Sequence, residues 1–338
     1  MLKNIEKYRK IYVVCPASSR TGGLELLHQL TFVLNLYKAN AIIAYTNIGN
    51  GNPTNPAYKK YVSNYVSFDE IEDEDDILVI ISEHQVELMD KLKKAEVAIW
   101  WLSVDNYQKV YNPIVAYKLL GIKGVAWYIK HGRWKYNISC IRNKVKFNFA
   151  QSYYAVDFLK QNGFSNIEYL SDYINSDYLN VKIDRATPRK DVVLYNPKKG
   201  AKFSKYLISL NPTIKWVPLV NLTNAQVKDL LLSSKVYVDF GNHPGKDRFP
   251  REAAMCGCCV ITDKRGSAAF YKDVPIDARY KFDDEKELGK DIIKCIQYCF
   301  DNYETCVNDF DDYRQKILRE EEQFHSDVKS IFFRGDNS

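Results

Sequence analysis

The chain has 338 residues, of which 46% are hydrophobic and 27% charged, and a net charge of +6. These values exclude a disordered or fibrous chain and predict a soluble globular protein, too long for one ordinary core and suited to two domains. The slight basic excess, 48 Lys and Arg against 42 Asp and Glu, suits a phosphate-bearing partner but falls short of a nucleic-acid-binding signature, so no nucleic acid is expected.

No stretch approaches the roughly 20 apolar residues of a membrane-spanning helix. The first residues, MLKNIEKYRKIYVVCP, lack the hydrophobic region and small-residue cleavage site of a secretory leader. A cytoplasmic location is therefore expected, with reduced thiols. The cysteines at 15, 140, 256, 258, 259, 295, 299 and 306 show no paired C-x-x-C spacing, so no zinc site is expected.

Along the chain, IYVVC (11–15) reads as a strand, PASSRTGG as a loop and LELLHQLTFVLNLYKA as a helix with apolar positions Leu26, Leu30, Val33 and Leu34. AIIAY (41–45) is the next strand. This β-loop-α-β order is the unit of a parallel α/β sheet. ILVIIS (77–82) and EVAIWWLS read as strands around a helix, VELMDKLKKA. VAWYI (125–129) and KFNFAQS (146–152) are further strand candidates, and YYAVDFLKQNGF is a helix ending at Gly163. The polar stretch SDYINSDYLNVKIDRATPRK reads as a crossing between domains.

Alternation then restarts. DVVLY is a strand, KFSKYLISL a helix, IKWVPL a strand, and NAQVKDLLLSS a helix with Asn224 as its N-cap. KVYVDF is a strand and PREAAMCG a helix closed by Gly257. In that helix Pro250 is expected at the first position and Glu252 in the first turn. CVIT is a strand, and from Glu285 to about Phe332 the pattern is helical. The expected domains are 1–170, a crossing over 171–190, a second domain over 191–305 and a helical tail over 306–338.

Ligands of doubly wound sheets sit beyond the carboxyl ends of strands, at loops that open helices. Three such loops are chemically equipped. In SSRTGG (18–23), Gly22 and Gly23 let backbone approach an anion at a helix start; a tight turn explains them equally well. In YNPKKG (195–200), Asn196, Lys198, Lys199 and Gly200 suit a diphosphate; the plain alternative is a solvated basic turn. In GNHPGKDRFPRE (241–252), Gly241 and Gly245 compact the loop. His243, Lys246, Arg248 and Arg251 supply donors, and Glu252 can accept from sugar hydroxyls. The plain alternative there is a helix-capping Glu amid surface charge.

Asp105 and His131 are read as lying just past strand ends, where a general base would sit. A turn-forming role suits Asp105 equally. His28 reads as structural or surface, His84 as a helix-start residue and Ser152 as a helix cap. Cys256, Cys258 and Cys259 read as packing rather than chemistry.

The motifs together resemble glycosyltransferases of the GT-B fold. FAQSYYAVDFLKQNGF resembles the Ser-opened, Gly-closed helix before the crossing. Lys199-Gly200 resembles the Lys-Gly after the first strand of the second domain, and REAAMCGCCVIT is similar to the "E-A-M-A-x-G-x-P-V-I" segment of retaining sugar-nucleotide transferases. Three positions depart from the pattern. Pro244 stands where a second Glu is usual, HPGKDRFP replaces a Gly-Phe-Gly-Leu-Pro loop, and Cys259 replaces a Pro.

The resemblance covers most of 11–270 and implies an α/β fold of two Rossmann-like domains facing a cleft, with a helical C-terminal tail. It implies a transferase like those of bacterial lipopolysaccharide and capsule clusters. A nucleotide-diphosphate or nucleotide-monophosphate sugar would be held by Gly22, Gly23, Asn196, Lys199, His243, Gly245, Lys246, Arg248, Arg251 and Glu252, without a metal or cofactor. Glu252 carries over as a donor contact, but the retaining mechanism does not carry over past Pro244. An inverting enzyme would use Asp105 as base, with His131 on the acceptor side; a retaining one needs no dedicated base.

The expected acceptor is a glycan or lipid-linked glycan. Lys123, Lys130, Arg133, Trp134 and Lys135 suit peripheral contact with the inner face of the plasma membrane, although an ordinary basic surface is the plainer reading. A sugar-nucleotide epimerase lacks its acid/base pair in this chain. A non-catalytic partner subunit fits the residue at Pro244 but not the intact basic loop.

Overall fold

Seven short apolar runs build the first sheet: β1 (Lys10–Pro16), β2 (Ala41–Thr46), β3 (Tyr65–Ser67), β4 (Ile77–Ser82), β5 (Glu96–Trp101), β6 (Phe147–Ala150) and β7 (Ile167–Tyr169). The computed structural model describes residues 5–19, 21–183 and 187–333. Arg20 of the 18–23 loop and residues 184–186 of the expected crossing lie outside them. The strands pair in parallel in the order β3-β2-β1-β4-β5-β6-β7. All six residues of β4 are buried, as expected where helices cover both faces of a parallel sheet. Trp100 and Trp101 are fully buried on β5, yet each indole N–H has an acceptor: Leu170 O at 3.3 Å and Asn148 Oδ1 at 3.0 Å.

The second sheet contains β8 (Lys190–Tyr195), β9 (Lys215–Pro218), β10 (Ser234–Asp239), β11 (Cys259–Asp263) and β12 (Lys281–Phe282), all parallel, in the order β12-β11-β10-β8-β9. Its core includes Val193, Leu194, Val236, Val238, Val260 and Ile261. Cys256, Cys258 and Cys259 are fully buried there. Burial pushes the Cys256 and Cys258 thiols up to about 12, so they are packed thiols rather than nucleophiles.

The chain divides into one unit of residues 1–172 and 322–338 and a second of 173–321. The helical tail expected over 306–338 is therefore not a separate body. Residues up to Glu321 belong to the second unit, while Phe324, Val328 and Phe332 bury one face of the Glu320–Phe332 helix in the first. Phe324 stacks on Trp100, Phe332 packs on Phe149, and Asp327 accepts from the Ser171 N–H at 2.9 Å.

Four local expectations change. Residues 125–129 are not a strand but the last part of the Pro113–Lys130 helix. The first part of this helix has a clear start signal, with Asn112 Oδ1 accepting from Ile114 and Val115 N–H and Pro113 in the first position, while 125–129 lie beyond a break at Gly121. The 83–91 stretch winds as a 3₁₀ run, Glu83–Lys91, broken at Gln85. Thr223, not Asn224, caps its helix through a capping box with Gln226. The Arg248–Met255 helix begins two residues earlier than expected, so Pro250 is its third residue and Glu252 lies in the second turn.

Candidate active site

In the second unit, two loops leave the carboxyl ends of adjacent strands β8 and β10 and touch backbone to backbone. After β8, Asn196 turns the chain by accepting from Lys198 N–H at 3.0 Å with its side chain and from Lys199 N–H at 3.2 Å with its carbonyl. Gly200 follows with φ +54°; a Cβ there would stand 2.1 Å from Phe240 O. After β10, Gly241 has φ +124°, and its Cβ would stand 2.7 Å from Gly200 N. Only glycine fits either place. Lys199, just before the Ala201–Leu210 helix, is paired at 2.6 Å with Asp247, just before the Arg248–Met255 helix. Neither Gly200 nor the Asp247 side chain caps its helix. The first-turn N–H groups of both helices are thus left without a side-chain cap, a feature suited to a phosphate.

A dense charge cluster joins the two loops. Lys199 Nζ is 3.0 Å from Asp239 Oδ1 and 2.6 Å from Asp247 Oδ2. His243 is 1% exposed, with Nδ1 2.9 Å from Asp247 and Nε2 3.3 Å from Asp263. Burial opposes a charge on His243, but Asp239, Asp247 and Asp263 outweigh it and raise the imidazole to about 10. Lys199 is likewise opposed by burial and held above its ordinary value by Asp239 and Asp247. Burial works against ionised Asp247, and Lys199 and His243 pull it below the usual carboxylate range.

Asp239, His243 and Asp247 have the residue types of a metal site, with ligand atoms within 4.8 Å of one another. The donor set does not fit a divalent ion as it stands. Lys199 places an ammonium among the carboxylates, and an imidazole that keeps its proton has no lone pair to offer.

Of the basic residues read as ligand donors, the structure turns three inward. His243 lies in the cluster just described. Lys246 Nζ is 3.0 Å from Glu320 Oε1, and Arg251 Nη1 donates to Glu320 Oε2 at 2.7 Å; all three side chains are buried. Arg251 also donates to Lys246 O at 2.9 Å and Asp247 O at 3.2 Å, so it ties the loop to its own helix. Gly245 O accepts from Ser267 Oγ at 2.6 Å. These residues frame the loop. Lys199 and Arg248 are partly exposed and Lys198 is exposed. Glu252 is buried near Tyr178, whose hydroxyl is raised by burial and then by that carboxylate. Glu320 went unnoticed in the sequence; its place in an acidic run of a polar helix gives no sign of burial.

In the first unit, Gly22 and Gly23 open the Gly22–Leu36 helix after β1, behind the Thr21 N-cap. Tyr58 fixes that loop, accepting from Thr21 N–H at 3.0 Å and donating to Thr21 O at 2.8 Å. Asp105 lies in the first turn of the Val104–Tyr111 helix after β5, where its Oδ1 accepts from Tyr154 OH at 2.8 Å. His131 is not at a strand end. It follows the Pro113–Lys130 helix, exposed and packed on Trp127 with ring centroids 4.7 Å apart.

The sequence reading also missed Glu83, 1% exposed at the end of β4. Its Oε2 accepts from Leu102 N–H at 2.8 Å and so holds the loop that leads to Asp105. Burial lifts its carboxyl to about 7 against the pull of N–H groups including those of Leu102 and Ser103. The folded chain therefore binds this proton more tightly than the unfolded chain. Its stabilising contribution is complete below about pH 4.5 and is lost as pH rises through about 7. Glu83→Gln is expected to flatten that fall, measured as melting temperature against pH for variant and wild type. Parallel curves would contradict the assignment.

No protein-family model and no curated protein matches the chain. Solved structures do. T4 phage BGT in complex with its UDP-glucose substrate aligns over 96% of this chain and 99% of its own, with TM-score 0.52 and 12% identity. HepE of Anabaena, crystallised with UDP and glucose, aligns over 95% and 96% with TM-score 0.59 and 12% identity. Sucrose-phosphate synthase of Thermosynechococcus elongatus aligns over 95% and 98% with TM-score 0.58 and 11% identity. Near-complete coverage of these glycosyltransferases, two parallel sheets of seven and five strands and a closing helical tail give the chain the GT-B fold.

Proposed function

We propose that the chain is a glycosyltransferase that moves a sugar from a nucleotide-activated donor to a glycan acceptor in the assembly of a bacterial surface polysaccharide such as lipopolysaccharide or capsule. The observation that carries the reading is the pair of helix starts without side-chain caps, linked by the Lys199–Asp247 pair, in loops that touch at Gly200 and Gly241. Transfer breaks the bond between the anomeric carbon and the phosphate oxygen, and negative charge develops on the departing nucleoside phosphate. Fixed N–H dipoles and cations aimed at that charge are the expected main source of rate. Glu252 contacts the donor sugar or ribose.

The acceptor hydroxyl attacks the anomeric carbon. In an inverting reaction Asp105 takes its proton, with Tyr154 holding the carboxylate in place. Lys199 and protonated His243, where a metal would otherwise bind, support a metal-independent reaction. The test is release of nucleoside phosphate from a panel of nucleotide sugars with glycan and lipid-linked glycan acceptors, with and without chelator. Release unchanged by chelator is expected. Absence of release from every donor would contradict the transferase, and loss on chelation would contradict metal independence.

A further inference from the structure

The Pro113–Lys130 helix leaves its apolar side chains uncovered. Of fifteen large hydrophobic residues exposed among the described residues, eight lie between Ile114 and Trp134. The two most exposed are Leu120, at 66%, and Ile122, at 81%. Between them Gly121 breaks the helix with φ 60° and ψ −147°, a conformation that glycine alone adopts readily. A Cβ on Gly121 would meet nothing within 4 Å, so backbone conformation rather than space accounts for this glycine. The break thus sits at the most uncovered point of the chain. Large exposed apolar residues gathered in one short segment in this way mark a place where something docks.

The charge around it is one-sided. Between Asp105 and Asp157 there are 51 residues, none acidic and nine of them Lys or Arg, more than the +6 net charge of the whole chain. Glu87 and Asp90, from the neighbouring 3₁₀ run, pair with Arg133 at 2.9 Å and Lys144 at 3.3 Å. Lys118, Lys123, Lys130 and Lys135 are exposed and form no ion pair among the described residues. Trp127 and Trp134 lie among these cations, with Arg133 5.4 Å from the Trp127 ring centre and Lys135 5.8 Å from that of Trp134. Amphipathic rings of this kind favour the headgroup level of a bilayer.

We propose that residues 113–135 dock on the surface of an anionic phospholipid bilayer, with Leu119, Leu120, Ile122 and Ile129 entering the acyl boundary and the lysines among the headgroups. Among the described residues no helix is long and apolar enough to cross a membrane, so the helix lies at the interface. A second copy of the chain is the poorer occupant, because a two-fold contact through this patch sets like charges against one another. Each lysine near an anionic surface contributes about a fivefold gain in binding. The inference rests on the exposed face and not on the transferase reading.

The test is co-sedimentation of the full chain with vesicles of phosphatidylcholine alone and of phosphatidylcholine with phosphatidylglycerol. Wild type is expected to bind the anionic vesicles, less tightly at high salt, and to bind neutral vesicles weakly. The double variant Leu120→Asp/Ile122→Asp is expected to lose about tenfold or more of that binding, and Lys118→Glu/Lys123→Glu/Lys130→Glu to lose a comparable amount. Both variants alter exposed side chains and should keep the wild-type melting temperature. Failure of wild type to bind anionic vesicles, or equal binding by the double variant, overturns the proposal. So does wild type that forms dimers without binding vesicles and becomes monomeric in the double variant.

Discussion

Glu320→Ala is expected to destabilise the second unit by about 3–5 kcal/mol. The carboxylate is buried and neutralises two buried cations, Lys246 at 3.0 Å and Arg251 at 2.7 Å. Arg251 is 1% exposed, so water cannot replace the lost partner. The loss reflects removal of a buried carboxylate from beside two buried cations, not the net value of the pair. At roughly 2–4 °C per kcal/mol, the melting temperature should fall by about 10 °C. The triple variant Glu320→Leu/Lys246→Met/Arg251→Met should recover most of the loss, since well-packed apolar replacements often match a buried ionic group. A thermal melt of both variants measures this. A wild-type melt for Glu320→Ala would mean that the cations have another outlet.

Arg248→Ala has the largest expected effect on activity. Arg248 is the first residue of its helix, partly exposed, in the loop proposed to hold the donor phosphate. Removing one preorganised donor from a developing oxyanion costs about 10²–10³-fold in rate. Arg248 is half-buried, so a melting temperature measured beside the rate separates loss of the donor from loss of the fold. Lys199 is a poorer probe. Its removal strands Asp239 and Asp247 together with the protonated His243, so lost turnover would not separate binding from unfolding.

The parts of this protein legible in its sequence are those with local causes. Buried β-branched runs mark β1, β4, β8 and β10, and Gly163 and Gly257 close their helices with positive φ. Gly200 and Gly241 stand in the loops singled out from the sequence, and the structure adds why each must be glycine: backbone meets backbone there. What the sequence hides depends on distant partners. His243, Lys246 and Arg251 carry the charges expected of phosphate ligands, and nothing local shows that Asp263 and Glu320 turn them inward. Glu83 is masked in the same way, because its partner is the backbone of another loop. Residues 125–129 mislead differently. Their aromatic and branched composition is that of a strand, but they lie in a helix where Trp127 and Ile129 are exposed and Tyr128 is buried.

The central claim is that the paired helix starts of the second unit bind the phosphate of an activated sugar. Thermal melts of wild type and Arg248→Ala, each with a panel of nucleoside diphosphates and nucleotide sugars, test it most directly. At about 100 times its dissociation constant a ligand adds about 2.7 kcal/mol to the apparent stability of the state it binds. At least one nucleotide should raise the wild-type melting temperature by several degrees and leave Arg248→Ala nearly unchanged at the same concentration. A panel without effect on wild type, or equal shifts in the two proteins, would contradict the assignment.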